Sequence, residues 1–176
     1  DKSLIRYGTT GQYTGTVRAV SDEFLKNPQL DSTIEKGSFT LKDKGRYLAV
    51  IGATVQGKLS VNIHDQLSPL QIYSPRRDAS SSADPMSAFT VKYIYPSGIF
   101  NIQQDFNGLI ITPIEFMREL LNQPKNISAI NLNYKKGTNL KNVQEDLVDK
   151  VGSMFTIKNR FEQDADLYKT LNYERW

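Results

Sequence analysis

The strongest constraint on the fold is a change of hydrophobic period within residues 109–157. Leu109–Ile111 is an apolar run of strand length, and Thr112 and Pro113 behind it are typical of a helix start. The helix predicted there ends before Pro124. Its apolar residues recur at helical spacing: Ile114, Met117, Leu120 and Leu121.

A second strand–helix–strand pattern follows in the same part of the chain. Residues 127–134 alternate like a strand, and a second amphipathic helix is predicted over about residues 140–151, with Gly152 placed as its C-cap. Phe155 and Ile157 indicate one more strand. The order β-α-β-α-β predicts an α/β layer.

The first part of the chain is richer in strand patterns. Residues 13–20 alternate, with Tyr13 and Val17 on one side and Thr14 and Thr16 on the other. A short helix is predicted between Gly52 and Val61. Further strands are predicted at residues 47–51, 70–73, 89–95 and 99–103. Residues 74–87 are small, polar and bracketed by prolines, which is typical of a mobile hairpin tip.

Composition excludes several classes of protein. The chain has 176 residues, 39% of them hydrophobic, and no apolar run approaches the roughly 18 residues of a membrane-spanning helix. It has no cysteine and one histidine, so the usual Cys/His zinc site is excluded. The bases are scattered and the net charge is only +3, which is a weak indication of anionic partners.

The residues available for catalysis are few. A Ser-His-Asp triad would need His64, which lies in a predicted turn without a Gly-x-Ser-x-Gly motif. The carboxylate pairs Asp22/Glu23, Glu145/Asp146 and Asp164/Asp166 lie on predicted surfaces, where nothing apolar would raise a pKa. The sequence therefore predicts no catalytic residue, no metal, no cofactor and no enzymatic activity.

Two stretches, residues 37–77 and 98–152, together resemble a known family. They are similar to the MacB-like periplasmic core domains of FtsX-like ABC transporter permeases, and are closest to the lipoprotein-releasing LolC/LolE type of Bacteroidetes-like bacteria. The first stretch carries the pattern on Gly37, Phe39, Gly52, Leu59, Val61 and Asp65, and departs from it at Ser60 and His64, where glycine is common. The second begins with Gly98-Ile99-Phe100.

The resemblance implies an α+β fold. A porter-like α/β subdomain (β-α-β-α-β) would comprise residues 3–30 and 107–160. A β-rich subdomain of residues 31–106 would be inserted into it. Residues 161–176 would form a helix that leads toward a transmembrane segment.

The resemblance also implies a mechanical function. The chain would be the periplasmic domain of an inner-membrane permease, coupling ATP hydrolysis to lipoprotein release or substrate export. Its partners would be a cytoplasmic ABC ATPase subunit, reached through the transmembrane part, a second permease copy or paralogue, and a periplasmic carrier or lipoprotein, but no nucleic acid. Arg76 and Arg77, at the base of the predicted tip, are candidate partner contacts. The alternative is a soluble basic α/β binding module, for nucleic acid or protein, unrelated to transport.

Overall fold

The structure is a computed structural model. It describes residues 2–9, 11–65, 67–76, 88–102, 106–135, 137–159 and 162. The chain divides into two compact units, residues 1–127 and residues 128–176. The predicted C-terminal helix over residues 161–176 lies outside the described residues, apart from residue 162.

The first unit is built from eight strands and two short α-helices among its described residues. The strands are β1 (Lys2–Tyr7), β2 (Gly11–Val20), β3 (Ile34–Gly37), β4 (Lys42–Asp43), β5 (Arg46–Gly52), β6 (Leu70–Pro75), β7 (Phe89–Phe100) and β8 (Leu109–Pro113). The helices are α1 (Ala53–Leu59) and α2 (Ile114–Leu120).

Six of the strands close into a mixed barrel, in the order β7-β6-β1-β2-β8-β5 and back to β7. The pairs β2–β8 and β5–β7 are parallel, and the remaining pairs of the barrel are antiparallel. The two other strands extend the sheet at its margins, β3 beside β7 and β4 beside β5.

The predicted porter-like α/β subdomain with an inserted β-rich subdomain is wrong. The prediction placed β2 and β8 in the α/β subdomain, and β5, β6 and β7 in the insertion. In the structure all five strands belong to one continuous sheet. Thr16 lies beside Leu109, and Ile51 lies opposite Ile110. Closure of the barrel explains this, because it pairs the strand edges that an open sheet would leave exposed.

The barrel interior is filled by side chains from the strands and from both helices. Helix α1 follows β5 and α2 follows β8, and because these strands are antiparallel the helices lie at opposite ends of the barrel. The interior cluster includes Val55 and Leu59 of α1 and Phe116 and Leu120 of α2, each at most 4% exposed. The two helices therefore plug the barrel from both ends.

A second apolar cluster covers part of the outside of the barrel. Val50, Ile111 and Phe100 point away from the interior cluster and pack with Leu41. Phe24, in the 3₁₀ helix Asp22–Lys26, and Phe39 add to this cluster, their ring centroids 6.2 Å apart. The segment between β2 and β5 thus buries the outer face of β5 and β8.

The second unit contains α3 (Leu140–Val151) and a short 3₁₀ helix (Gly152–Met154). The Asn139 side chain caps α3 by accepting from the amides of Lys141 and Asn142, and Gly152 follows with a φ of +68°, as its predicted capping role requires. The strands predicted over residues 127–134 and 155–157 do not form among the described residues. An alternating pattern is compatible with a strand, but without a pairing partner it does not produce one.

Candidate interaction face

The residues that the sequence singled out are scattered in the structure. Arg76 follows β6 and is exposed, and its amide donates to the Ala88 carbonyl at 2.8 Å, while Arg77 lies outside the described residues. His64 is exposed in a turn, as predicted, with its amide bonded to Asn62 Oδ1 at 3.0 Å. Among the described residues, no group of three His, Asp or Glu side chains is placed to hold a metal ion.

The acidic residues closest to the barrel end are engaged in ion pairs that fix α2. Lys42 Nζ lies 2.8 Å from Asp22 and 3.1 Å from Glu115, and these carboxylates, Asp22 foremost, raise the lysine pKa. Glu119 accepts from Lys92 and from the Tyr47 hydroxyl, and these two hydrogen bonds hold the pKa of the Glu119 carboxyl below its ordinary value. Such partly exposed networks are typical of structural contacts.

A second set of surface side chains lies on the outer side of the neighbouring strands β2, β1, β6 and β7. We call it the basic face, and its residues form cross-strand rows. One row runs Gln12, Arg6, Gln71, Tyr93. The next runs Thr14, Leu4, Tyr73, Val91. Beyond it lie the pairs Thr16–Lys2 and Pro75–Phe89, and Arg18 follows Thr16 on the same side of β2.

Strand alternation places these residues outside. Ile5, Val17, Ile72 and Ile94 of the same four strands are at most 1% exposed and lie in the interior cluster. Because successive side chains of a strand point to opposite faces, the residues between them point outward. The alternation predicted for residues 13–20 is confirmed here, with Val17 inside and Thr14 exposed.

The charge of the basic face has one sign. Lys2, Arg6 and Arg18 point outward from β1 and β2, and none of the three side chains has an ion-pair or hydrogen-bond partner within the part of the chain that the structure describes. The sequences of β1, β2, β6 and β7 contain no Asp or Glu. Lys2 and Arg18 are diagonal neighbours across the β1–β2 pair, about 7–8 Å apart by strand geometry.

Two aromatic side chains stand at the β7 margin of this face. Tyr93 is 62% exposed and Phe89 is 37% exposed. The middle row is more apolar and less accessible, since Leu4 and Val91 are partly buried and Tyr73 is buried. An apolar centre within a polar and basic margin is the composition of a protein-binding surface.

The basic face is not evident from the sequence, because its cations are not adjacent along the chain as Arg76 and Arg77 are. The signal was present as the spacing of Lys2 and Arg6 on one side of β1, but it acquires meaning only when β1 is known to lie between β2 and β6.

The comparisons add no family. No protein-family model matches the chain, and no curated protein matches it. Among the described residues, none of the helices combines the length and apolar character needed to cross a membrane.

Proposed function

We propose that this chain is the extracytoplasmic domain of an ABC-type permease. In that role a separate cytoplasmic subunit hydrolyses ATP, and the transmembrane part of the permease carries the motion to the domain. The domain acts mechanically on cargo, in lipoprotein release or export. The proposal rests on the resemblance of residues 37–77 and 98–152, and the observation that carries it is the structural position of the residues behind that resemblance.

The glycines of the resemblance lie where the barrel has no room for a side chain. A Cβ on Gly98 would lie 2.4 Å from the Ser38 carbonyl oxygen, and one on Gly52 would lie 2.2 Å from that of Asn107. Gly37, which pairs with Gly98, also has a φ of +77°. These close contacts explain why this barrel requires glycine at positions that carry the resemblance.

The other residues of the pattern have structural positions too. Phe39 packs in the outer cluster, and Leu59 and Val61 are buried in the interior. The Asp65 carboxylate accepts from the amides of Leu67 at 2.8 Å and Ser68 at 3.3 Å, and the Ser68 hydroxyl is the largest cause of its lowered pKa. Ser60, where the family commonly has glycine, has the left-handed φ of 52° that favours glycine.

The packed barrel suits a mechanical role. Close-packed interiors are poorly compressible and transmit strain. A barrel filled from both ends by α1 and α2 moves as a solid body, so a displacement applied at one end is delivered to the surface at the other.

The test uses the full-length gene product in its own bacterium. An alkaline phosphatase fusion within this chain should be active, because the enzyme folds only outside the cytoplasm. Depletion of the protein should leave lipoproteins in the inner membrane, and the purified protein should bring an ABC ATPase with it. A cytosolic protein without an ATPase partner would refute the proposal.

The alternative is a binding module unrelated to transport, and the basic face is the observation that favours it. In that case, the full-length protein would be free of membrane-spanning segments, and depletion would leave lipoprotein sorting unchanged. A nucleic-acid ligand would be revealed by an affinity for oligonucleotides that falls steeply with salt.

A further inference from the structure

We infer that the basic face is a docking surface for an acidic protein partner. The occupant is a folded protein or an extended peptide whose surface places carboxylates around a small apolar centre. The inference goes beyond the permease assignment and does not depend on it, since it rests on the outward residues of β1, β2, β6 and β7 alone.

The charge of the face defines the chemistry of the partner. Lys2, Arg6 and Arg18 carry no ion-pair partner within the described part of the chain, and the four strands contain no carboxylate. By contrast, Lys42 and Lys92, which point toward α2, are neutralised by carboxylates. Lys2, Arg6 and Arg18 therefore share the outer side of four strands that contain no carboxylate of their own, and Arg guanidinium groups pair well with planar carboxylates.

The arrangement favours a protein over a single-stranded nucleic acid. Phe89 and Tyr93 are four residues apart on one strand, which separates them by about 13 Å. That distance is too great for stacking of successive bases, which is how β-sheet faces hold single strands. Leu4 and Val91, which lie between the charged and aromatic positions, offer the apolar contact that the core of a protein interface needs.

Binding of a defined probe tests the inference. The 176-residue chain is titrated with a fluorescent Glu-rich peptide that has a central Leu-Phe pair, and with the same peptide carrying Gln for Glu. We expect the Glu peptide to bind and the Gln peptide to bind at least about tenfold more weakly, because complementary charge controls such encounters. The triple variant Lys2→Glu, Arg6→Glu, Arg18→Glu should weaken binding of the Glu peptide by at least about tenfold.

A matched triple variant controls for net charge. Lys36→Glu, Lys58→Glu and Lys125→Glu reverse three exposed cations elsewhere in the same unit and should change the affinity less than about twofold. Thr14→Lys, beside Leu4 in the middle row, should strengthen binding. Thermal unfolding followed by circular dichroism verifies that each variant is folded. If the triple variant of Lys2, Arg6 and Arg18 does not fold, the effect of Thr14→Lys on the affinity tests the inference instead.

Three results would overturn the inference. Equal losses in the two triple variants would mean that only net charge matters, and equal binding of the Glu and Gln peptides would mean that the cations play no part. Tighter binding of a single-stranded oligonucleotide than of the Glu peptide, abolished by the face triple, would assign the face to nucleic acid.

Discussion

Phe116 is the side chain whose removal tests most directly whether α2 plugs the barrel. It is 1% exposed in the interior cluster, and its ring meets that of Tyr47 edge-on at 6.2 Å and 79°. A buried Phe→Ala change typically costs about 3–5 kcal/mol. Because the edge-to-face pair is lost as well, which alone is worth about 0.5–1.5 kcal/mol, we expect Phe116→Ala to cost about 4–5 kcal/mol.

The measurement is urea unfolding followed by circular dichroism, with the melting temperature as a second readout. At this chain length each kcal/mol lowers the melting temperature by about 2–4 °C, so the expected fall is roughly 8–20 °C. Phe89→Ala is the control, since that ring lies on the outer face and its removal should cost no more than about 1 kcal/mol. A loss below about 1 kcal/mol for Phe116→Ala would refute the plugged-barrel interpretation.

Three further predictions concern single positions. Gly57→Ala, in open space on α1, should stabilise by about 0.5–1 kcal/mol, whereas Gly98→Ala should destabilise because its Cβ meets a backbone carbonyl; urea unfolding compares the two. Lys44 has a φ of 47° in the turn between β4 and β5, a conformation that Asn adopts more readily than Lys. Lys44→Asn should therefore raise the free energy of unfolding by up to about 1 kcal/mol. The pKa of Glu119 is lowered, mainly by Lys92, so its contribution to stability should be present above the ordinary pKa of 4.5 and lost as the pH falls through the lowered value. Glu119→Gln should therefore reduce the pH dependence of the melting temperature in that window, and an unchanged pH profile would contradict this.

Much of the local structure could be predicted because local rules decide it. Helices α2 and α3 form where the apolar spacing indicated them, and α1 lies within the interval predicted between Gly52 and Val61. The alternation of β2 correctly placed Val17 on the interior side and Thr14 and Arg18 on the outer side, where Val20 is nevertheless buried by the outer cluster. Strands predicted at residues 89–95 and 99–103 are one strand, β7, with a register shift at its centre, since Pro96 and Ser97 allow the strand to bend without ending it.

The basic face could not be predicted from any one strand. Leu4 and Thr14 are neighbours through the β1–β2 hairpin, which the sequence can suggest, but Leu4 and Tyr73 are neighbours only because β6 pairs with β1. The predicted tip drew attention to Arg76 and Arg77, which are adjacent in sequence. Nothing in the sequence alone indicated that Lys2, Arg6 and Arg18 lie on the same outer side of the sheet.

The sequence by itself determined where most strands and helices of residues 1–127 lie and which side of β2 faces the interior, because period and turn chemistry act over a few residues. Only the tertiary structure decided which strands pair. Parallel pairing of β2 with β8 and of β5 with β7 joins residues far apart in the chain, and each strand's alternation is equally compatible with an open α/β layer or a closed barrel. The closed barrel results because α1 and α2 fill its interior and its closure satisfies the backbone hydrogen bonds that an open sheet would leave at its edges.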